Sequence, residues 1–123
     1  MSVKRLRMGH DGEKIAGEYL KKSGYVIVAR NYRCKLGEID IIARDGEFLV
    51  FVEVKTRSGP ACGSPASAVT FRKQRQISKA AQCYLAEHGL FEAPARFDVV
   101  AILIGNDGNH LIELIPDAFD LCD

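Results

Sequence analysis

The stretch Gly37 to Arg57 reads GEIDIIARDGEFLVFVEVKTR. Its centre carries Asp45-Gly46, a dipeptide that favours a two-residue hairpin loop because glycine takes positive φ at no steric cost. The flanks are rich in Ile, Val and Phe, which suit a pleated, packed surface. With Asp45-Gly46 as the loop, Asp40 lies opposite Phe51 and Glu38 opposite Glu53. Paired residues share a face, and every second residue of a strand stays on it. Glu38, Asp40, Glu53 and Lys55 are therefore expected on one side, at one end of the ribbon. Ile39, Ile41 and Ala43 would share the other face with Val50, Val52 and Val54. Ile42, Leu49 and Phe51 keep the near face apolar up to the charged end, so both faces suit the interior of a sheet. A bulge beside the turn would separate Asp40 from Glu53, but the apolar pattern favours the unshifted register. Carboxylates gathered on a greasy ribbon repel one another and resist burial. A divalent cation is the simplest partner for them.

Working outward, Asp11 to Ser23 predicts a helix, with Asp11 as N-cap, Gly24 as its stop and Ile15, Ala16, Tyr19 and Leu20 as the apolar stripe. Glu13 lies along the inward side of that helix. It reads either as a site carboxylate or as a first-turn complement to the helix dipole. Tyr25–Ala29 predicts a strand and residues 31–37 a connection. Residues 58–69, with two prolines and two glycines, predict a loop. Thr70 caps a second helix whose stripe is Ile77, Ala80, Ala81, Tyr84, Leu85 and His88. Lys73 extends that stripe at its N-terminal end, from where it reaches toward the sheet or a phosphate, or snorkels to solvent. Phe97–Leu103 predicts a strand in which Asp98 hydrogen-bonds backbone. His110–Ile115 predicts an edge strand ended by Pro116. His10, His88 and His110 read as surface residues.

The 123 residues suffice for one α/β domain with a real core, spanning 1–123, the core at about 9–116 and an acidic tail at 117–123. The order α-β-β-β-α-β-β predicts a mixed five-stranded sheet with flanking helices. No apolar run approaches a membrane span, and the basic start leads into Gly9-His10-Asp11-Gly12-Glu13, so neither a membrane segment nor a secretory signal is expected. Four cysteines without Cys-x-x-Cys spacing read as reduced thiols of a cytoplasmic protein. The net charge of +1 hides a division: residues 1–37 hold nine Lys/Arg against three acids, and residues 55–79 hold six Lys/Arg and no acid. Between them, residues 38–54 hold five acids and one Arg. Two basic segments flanking an acidic cluster suit an anionic polymer and phosphodiester chemistry, or simply a solvated surface.

Asp40 followed by Glu53-x-Lys55 on a strand hairpin, after a helix with Glu13 and before a basic helix, resembles the PD-(D/E)XK nuclease superfamily. More narrowly, the chain is similar to the bacterial YraN-type family, related in fold to archaeal Holliday-junction resolvases. The matching stretches are Gly9-x-x-Gly12-Glu13, Asn31-Tyr32-Arg33, Gly37-Glu38-Ile39-Asp40, Phe51 to Arg57, Arg72-Lys73-Gln74-Arg75 and Arg96 to Val100. Ile39 stands where the superfamily often has proline.

That resemblance implies a restriction-endonuclease-like fold. It implies Asp40 and Glu53 as ligands of Mg²⁺ or Mn²⁺, Lys55 as catalytic lysine and Glu13 as auxiliary ligand. The backbone carbonyl of Val54 is a further candidate ligand, and Glu38 a more distant carboxylate. Arg33, Lys35, Arg57, Arg72 and Lys73 are candidates for backbone phosphates, contacts that position a nucleic acid without reading bases. The expected function is an endonuclease acting on DNA, including branched or damaged DNA. The alternatives are a nucleic-acid-binding module of the same fold that works with a partner, and a structural or RNA-directed role. Resolution of a junction would require a symmetric homodimer.

Overall fold

The structure, a computed structural model, describes residues 2–58, 69–105 and 109–121, with side chains from Gly12 to Arg57 and again from Val69. Helix α1 (Ser2–Lys22) leads to β1 (Val26–Cys34), β2 (Gly37–Asp45) and β3 (Phe48–Ser58). Helix α2 (Phe71–His88), β4 (Ala95–Ile104) and β5 (His110–Phe119) follow. The strands form one mixed sheet in chain order, with β3 and β4 parallel and the other neighbours antiparallel. Helix α2 lies in the β3–β4 crossover, as parallel pairing requires.

Alternation along the central strands explains the layers. Ile42, Leu49, Phe51, Phe97 and Val99 pack with Ile77, Ala80, Ala81 and Tyr84 of α2. Their neighbours Ile41, Ala43, Val50, Val52, Val100 and Ile102 pack with Ala16 and Leu20 of α1. Residues one apart thus face opposite helices, and the sheet is covered on both sides. Leu20, Phe51 and Ile77 are fully buried, each contributing about 1.5–3 kcal/mol of apolar burial. Helix α2 begins where Thr70, in extended conformation, accepts from the Lys73 N–H, and ends at Gly89 in the left-handed region.

Several expectations are corrected. Helix α1 begins at Ser2, not Asp11; the Lys, Arg, Leu and Met residues that precede Gly9 are good helix formers. The hairpin loop is Gly46-Glu47, because Asp45 pairs with Phe48 and Gly46 alone takes the positive φ of the loop. Ile42, not Asp40, lies opposite Phe51. The displacement is by two residues, so facing is preserved. Strand β1 continues to Cys34 through the segment expected as a connection. Asn31 permits this by taking φ 53°, a left-handed value that Asn tolerates better than most residues. Ala29 and Tyr32 of β1, and Ile39 and Ile42 of β2, consequently pack on the α2 side despite their opposite parity. Ile39 therefore leaves the face expected for it.

Strand β5 does not end at Pro116 but runs to Phe119, so the segment expected to open an acidic tail is partly sheet. Proline is tolerated there because β5 is an edge strand with an irregular register near Phe97–Val99. Asp117 takes φ 51° and donates its N–H to buried Asp98 at 2.9 Å. Asp98 also accepts from Tyr25 Oη at 2.8 Å and Arg96 Nε at 3.0 Å, so it binds backbone as expected, within a larger polar knot. Most of the expected 58–69 loop and the turn after Gly105 lie outside the described residues. Among the described residues, no helix is long and apolar enough to cross a membrane.

Candidate active site at the fork between β2 and β3

The β2–β3 ladder runs from Asp45↔Phe48 to Ile41↔Val52. Beyond that point β3 keeps its parallel pairing with β4 through Ser58. Asp40 stands at the resulting fork. Its Oδ2 accepts a 2.8 Å hydrogen bond from the Val54 N–H. The N–H and C=O of one strand residue point to the same edge, so the Val54 carbonyl is also directed into the fork.

Glu53 is only 4% exposed. Its carboxyl is hydrogen-bonded to that of Asp40, which requires a proton between them. Burial first, then the Asp40 carboxylate, pushes Glu53 up to about 8, while Lys73 and Lys55 pull it down. Lys73 Nζ lies 3.8 Å from Glu53 Oε2. Lys55, half-buried, shares the Glu53 side by strand alternation. The arrangement holds two carboxyls and two ammonium groups in one partly desolvated place. Asp40, Glu53 and Lys55 thus come together as the hairpin parity implies.

The other candidates are distributed differently. Glu38 is not opposite Glu53; it is the cross-strand partner of Arg33, with which it forms a solvent-exposed ion pair of 3.3 Å. The two-residue displacement of the hairpin and the pairing with β1 account for this. Glu13 is half-buried on α1. It follows Gly12, whose backbone lies so close to Thr56 Oγ1 that no β-carbon fits. That contact places the Glu13 turn of α1 beside the C-terminal part of β3. Arg33, Lys35 and Lys73 line one open cavity of about 450 Å³ with Cys34, Leu36, Gly37, Glu38 and Gln76. Arg57 and Arg72 are exposed and lie outside that lining.

The sequence offers the sheet or a phosphate as the reach of Lys73 without naming its partner; in the structure that partner is Glu53 of the sheet. The available signal was its position four residues before Ile77, on the buried stripe. Gln76, in the groove wall, carried no signal of its own. Among the described residues no group of three or more His, Cys, Asp or Glu side chains converges as a metal site. The donor set at the fork is therefore two carboxyls and a backbone oxygen. It fits a hard divalent cation, which takes oxygen ligands and retains several waters. The pairing of half-buried Asp40 with buried Glu53, which otherwise needs a proton to coexist, is the observation that makes the fit.

The chain matches the family described as "Uncharacterised protein family UPF0102" over residues 12–102. It is 60% identical over 114 residues to a UPF0102 protein of Geotalea uraniireducens (strain Rf4), covering 93% of this chain and 90% of that one. It is 58% identical over 114 residues to a UPF0102 protein of Geotalea daltonii, again covering 93% and 90%. A UPF0102 protein of Clostridium botulinum (strain Loch Maree / Type A3) is 51% identical over 118 residues, covering 93% and 94%.

Proposed function

The chain belongs to the UPF0102 family, and we propose that it is a Mg²⁺- or Mn²⁺-dependent endonuclease-like protein that hydrolyses phosphodiester bonds in DNA. The hydrogen-bonded pair of half-buried Asp40 and buried Glu53 at the fork, with Lys55 on the same side, carries this reading. The sequence resemblance to YraN-type PD-(D/E)XK nucleases supports it and makes branched or damaged DNA the substrate to try first. Asp40 and Glu53, with the Val54 carbonyl, would hold the cation. Bound there, the cation would supply Lewis-acid polarisation of a phosphate oxygen and a more acidic water.

The chain's own groups do the rest. Asp40 fixes the fork by holding the Val54 N–H. Lys55 places a positive charge where negative charge grows on the phosphoryl group. Lys73 brings a second positive charge to within 3.8 Å of Glu53 and sits at the mouth of the groove lined by Arg33 and Lys35. That groove suits a phosphodiester backbone, which basic side chains hold without regard to base sequence.

The test is incubation with supercoiled, linear, single-stranded and four-way-junction DNA in Mg²⁺ or Mn²⁺, beside Asp40→Ala and Lys55→Ala. Metal-dependent cleavage abolished by both substitutions is the expected result. Cleavage that survives both comes from another protein. The exposed cationic groove favours a second reading, a nucleic-acid-binding module that acts with a partner. Salt-sensitive binding with no cleavage of any substrate would select it.

A further inference from the structure

The β1–β2 tip is docked lengthwise on α2. The Tyr32 ring meets Tyr84 edge-on at 5.3 Å, and its hydroxyl donates to Glu87 at 3.0 Å. At the other side of the tip, Gly37 lies against the Gln76 carbonyl so closely that a β-carbon would stand 2.9 Å from it. Cys34 is the cross-strand partner of Gly37 and two residues from Tyr32, so it projects onto the helix between these contacts. There its thiol lies within hydrogen-bonding reach of the Cys83 thiol. Both cysteines are free and half-buried, and Cys34 lines the groove.

We infer that Cys34 and Cys83 form a reversible disulfide that staples the hairpin tip to α2, the oxidant being a hydroperoxide. Cys34 reacts first. It lines the open groove, where a hydroperoxide can reach it, and its Sγ accepts from the Leu36 N–H at 3.4 Å. The Cys83 thiol, pushed up chiefly by its hydrogen bond to Cys34, keeps its proton until the second step. The Cys34 thiolate attacks one oxygen of hydrogen peroxide. The O–O bond breaks, and the departing hydroxide takes the thiol proton as water, leaving a sulfenic acid. Cys83 sulfur then attacks Cys34 sulfur. The S–O bond breaks, and hydroxide leaves with the Cys83 proton as a second water. The two thiols together lose two electrons, and the peroxide is reduced to two waters.

The two walls of the groove are the residue 33–38 tip and the Lys73–Gln76 turn of α2. The bond joins those walls, so oxidation fixes the groove at one width. This assignment goes beyond the nuclease reading and does not depend on any chemistry at Asp40 or Glu53.

The experiment uses the full chain carrying Cys62→Ser and Cys122→Ser, treated with hydrogen peroxide under native conditions. Free thiols are counted, and a non-reduced digest is read by mass spectrometry. Both thiols should disappear together, with a Cys34–Cys83 linked peptide and a melting temperature higher by about 5–10 °C, all reversed by dithiothreitol. The same linked peptide should occur in a digest of the oxidised natural chain, which keeps the test valid if the double variant folds poorly. Persistence of both thiols, linkage only between chains, or over-oxidation of Cys34 with no linked peptide overturns the inference.

Discussion

The Asp40 carboxylate accepts from the Val54 N–H at 2.8 Å while meeting the carboxyl of Glu53. One side chain therefore does two things: it satisfies a backbone donor where the β2–β3 ladder has ended, and it sets the protonation of the neighbouring acid. Asp40→Ala removes the acceptor, and at pH 6, with Glu53 still protonated, should cost about 1–3 kcal/mol in urea unfolding. Asp40→Asn keeps an acceptor and should cost clearly less. Equal losses for the two would show that the Val54 hydrogen bond does not matter.

Glu53 makes stability depend on pH. Its folded value of about 8 lies above the ordinary 4.5. The folded state therefore binds the proton more tightly. That contribution is complete below about 4.5 and is lost as pH rises through 8. At pH 8.5 and without divalent metal, Glu53→Gln should be more stable than the natural chain by on the order of 2–4 kcal/mol. At pH 4 the two should nearly coincide. Parallel stability curves from pH 4 to 8.5 would contradict the buried, proton-holding glutamate.

Magnesium should act oppositely to the proton. At pH 8 a millimolar excess of Mg²⁺ should raise the melting temperature of the natural chain, because a ligand of the folded state stabilises it by mass action. The rise should vanish in Asp40→Ala and weaken toward pH 5.5 as protons compete. A rise that persists in Asp40→Ala would locate the cation elsewhere.

Gly12 is a spacing requirement. An added β-carbon would collide with Thr56 Oγ1. Gly12→Ala should destabilise the chain by about 1–3 kcal/mol, because overpacking outweighs alanine's better helix propensity. In a Thr56→Ala background the same change should cost little or stabilise. A thermal double-mutant cycle reads the coupling directly.

Arg33 and Lys35 should contribute charge and little else. Replacing either with alanine should weaken binding of a short DNA duplex and reduce the salt dependence by about one unit of slope per residue. Fluorescence anisotropy across a salt series measures this. Arg57→Ala, outside the groove lining, should have the smaller effect.

Much of this protein could be read along the chain. Period-two alternation fixed which residues of β2 and β3 face each helix, and a two-residue error in the loop left that facing intact because side chains repeat every second residue. The same property put Asp40, Glu53 and Lys55 on one side. Caps and stripes placed α2 from Thr70, since those signals are local. Asn31 was harder. Nothing in its neighbours announces a left-handed residue that turns two strands over together, so simple alternation puts Ile39 on the wrong face.

The sequence by itself determined the order of elements, the two apolar faces and the presence of an acid-lysine cluster, because each follows from contacts a few residues apart. Tertiary structure alone decided that Glu38 turns outward to Arg33, that Lys73 reaches back to Glu53, that Asp98 ties Tyr25 to Asp117, and that Cys34 meets Cys83. These partners are far apart along the chain or set by a kink. Their meeting depends on where a helix crosses a sheet, and no local propensity encodes that distance.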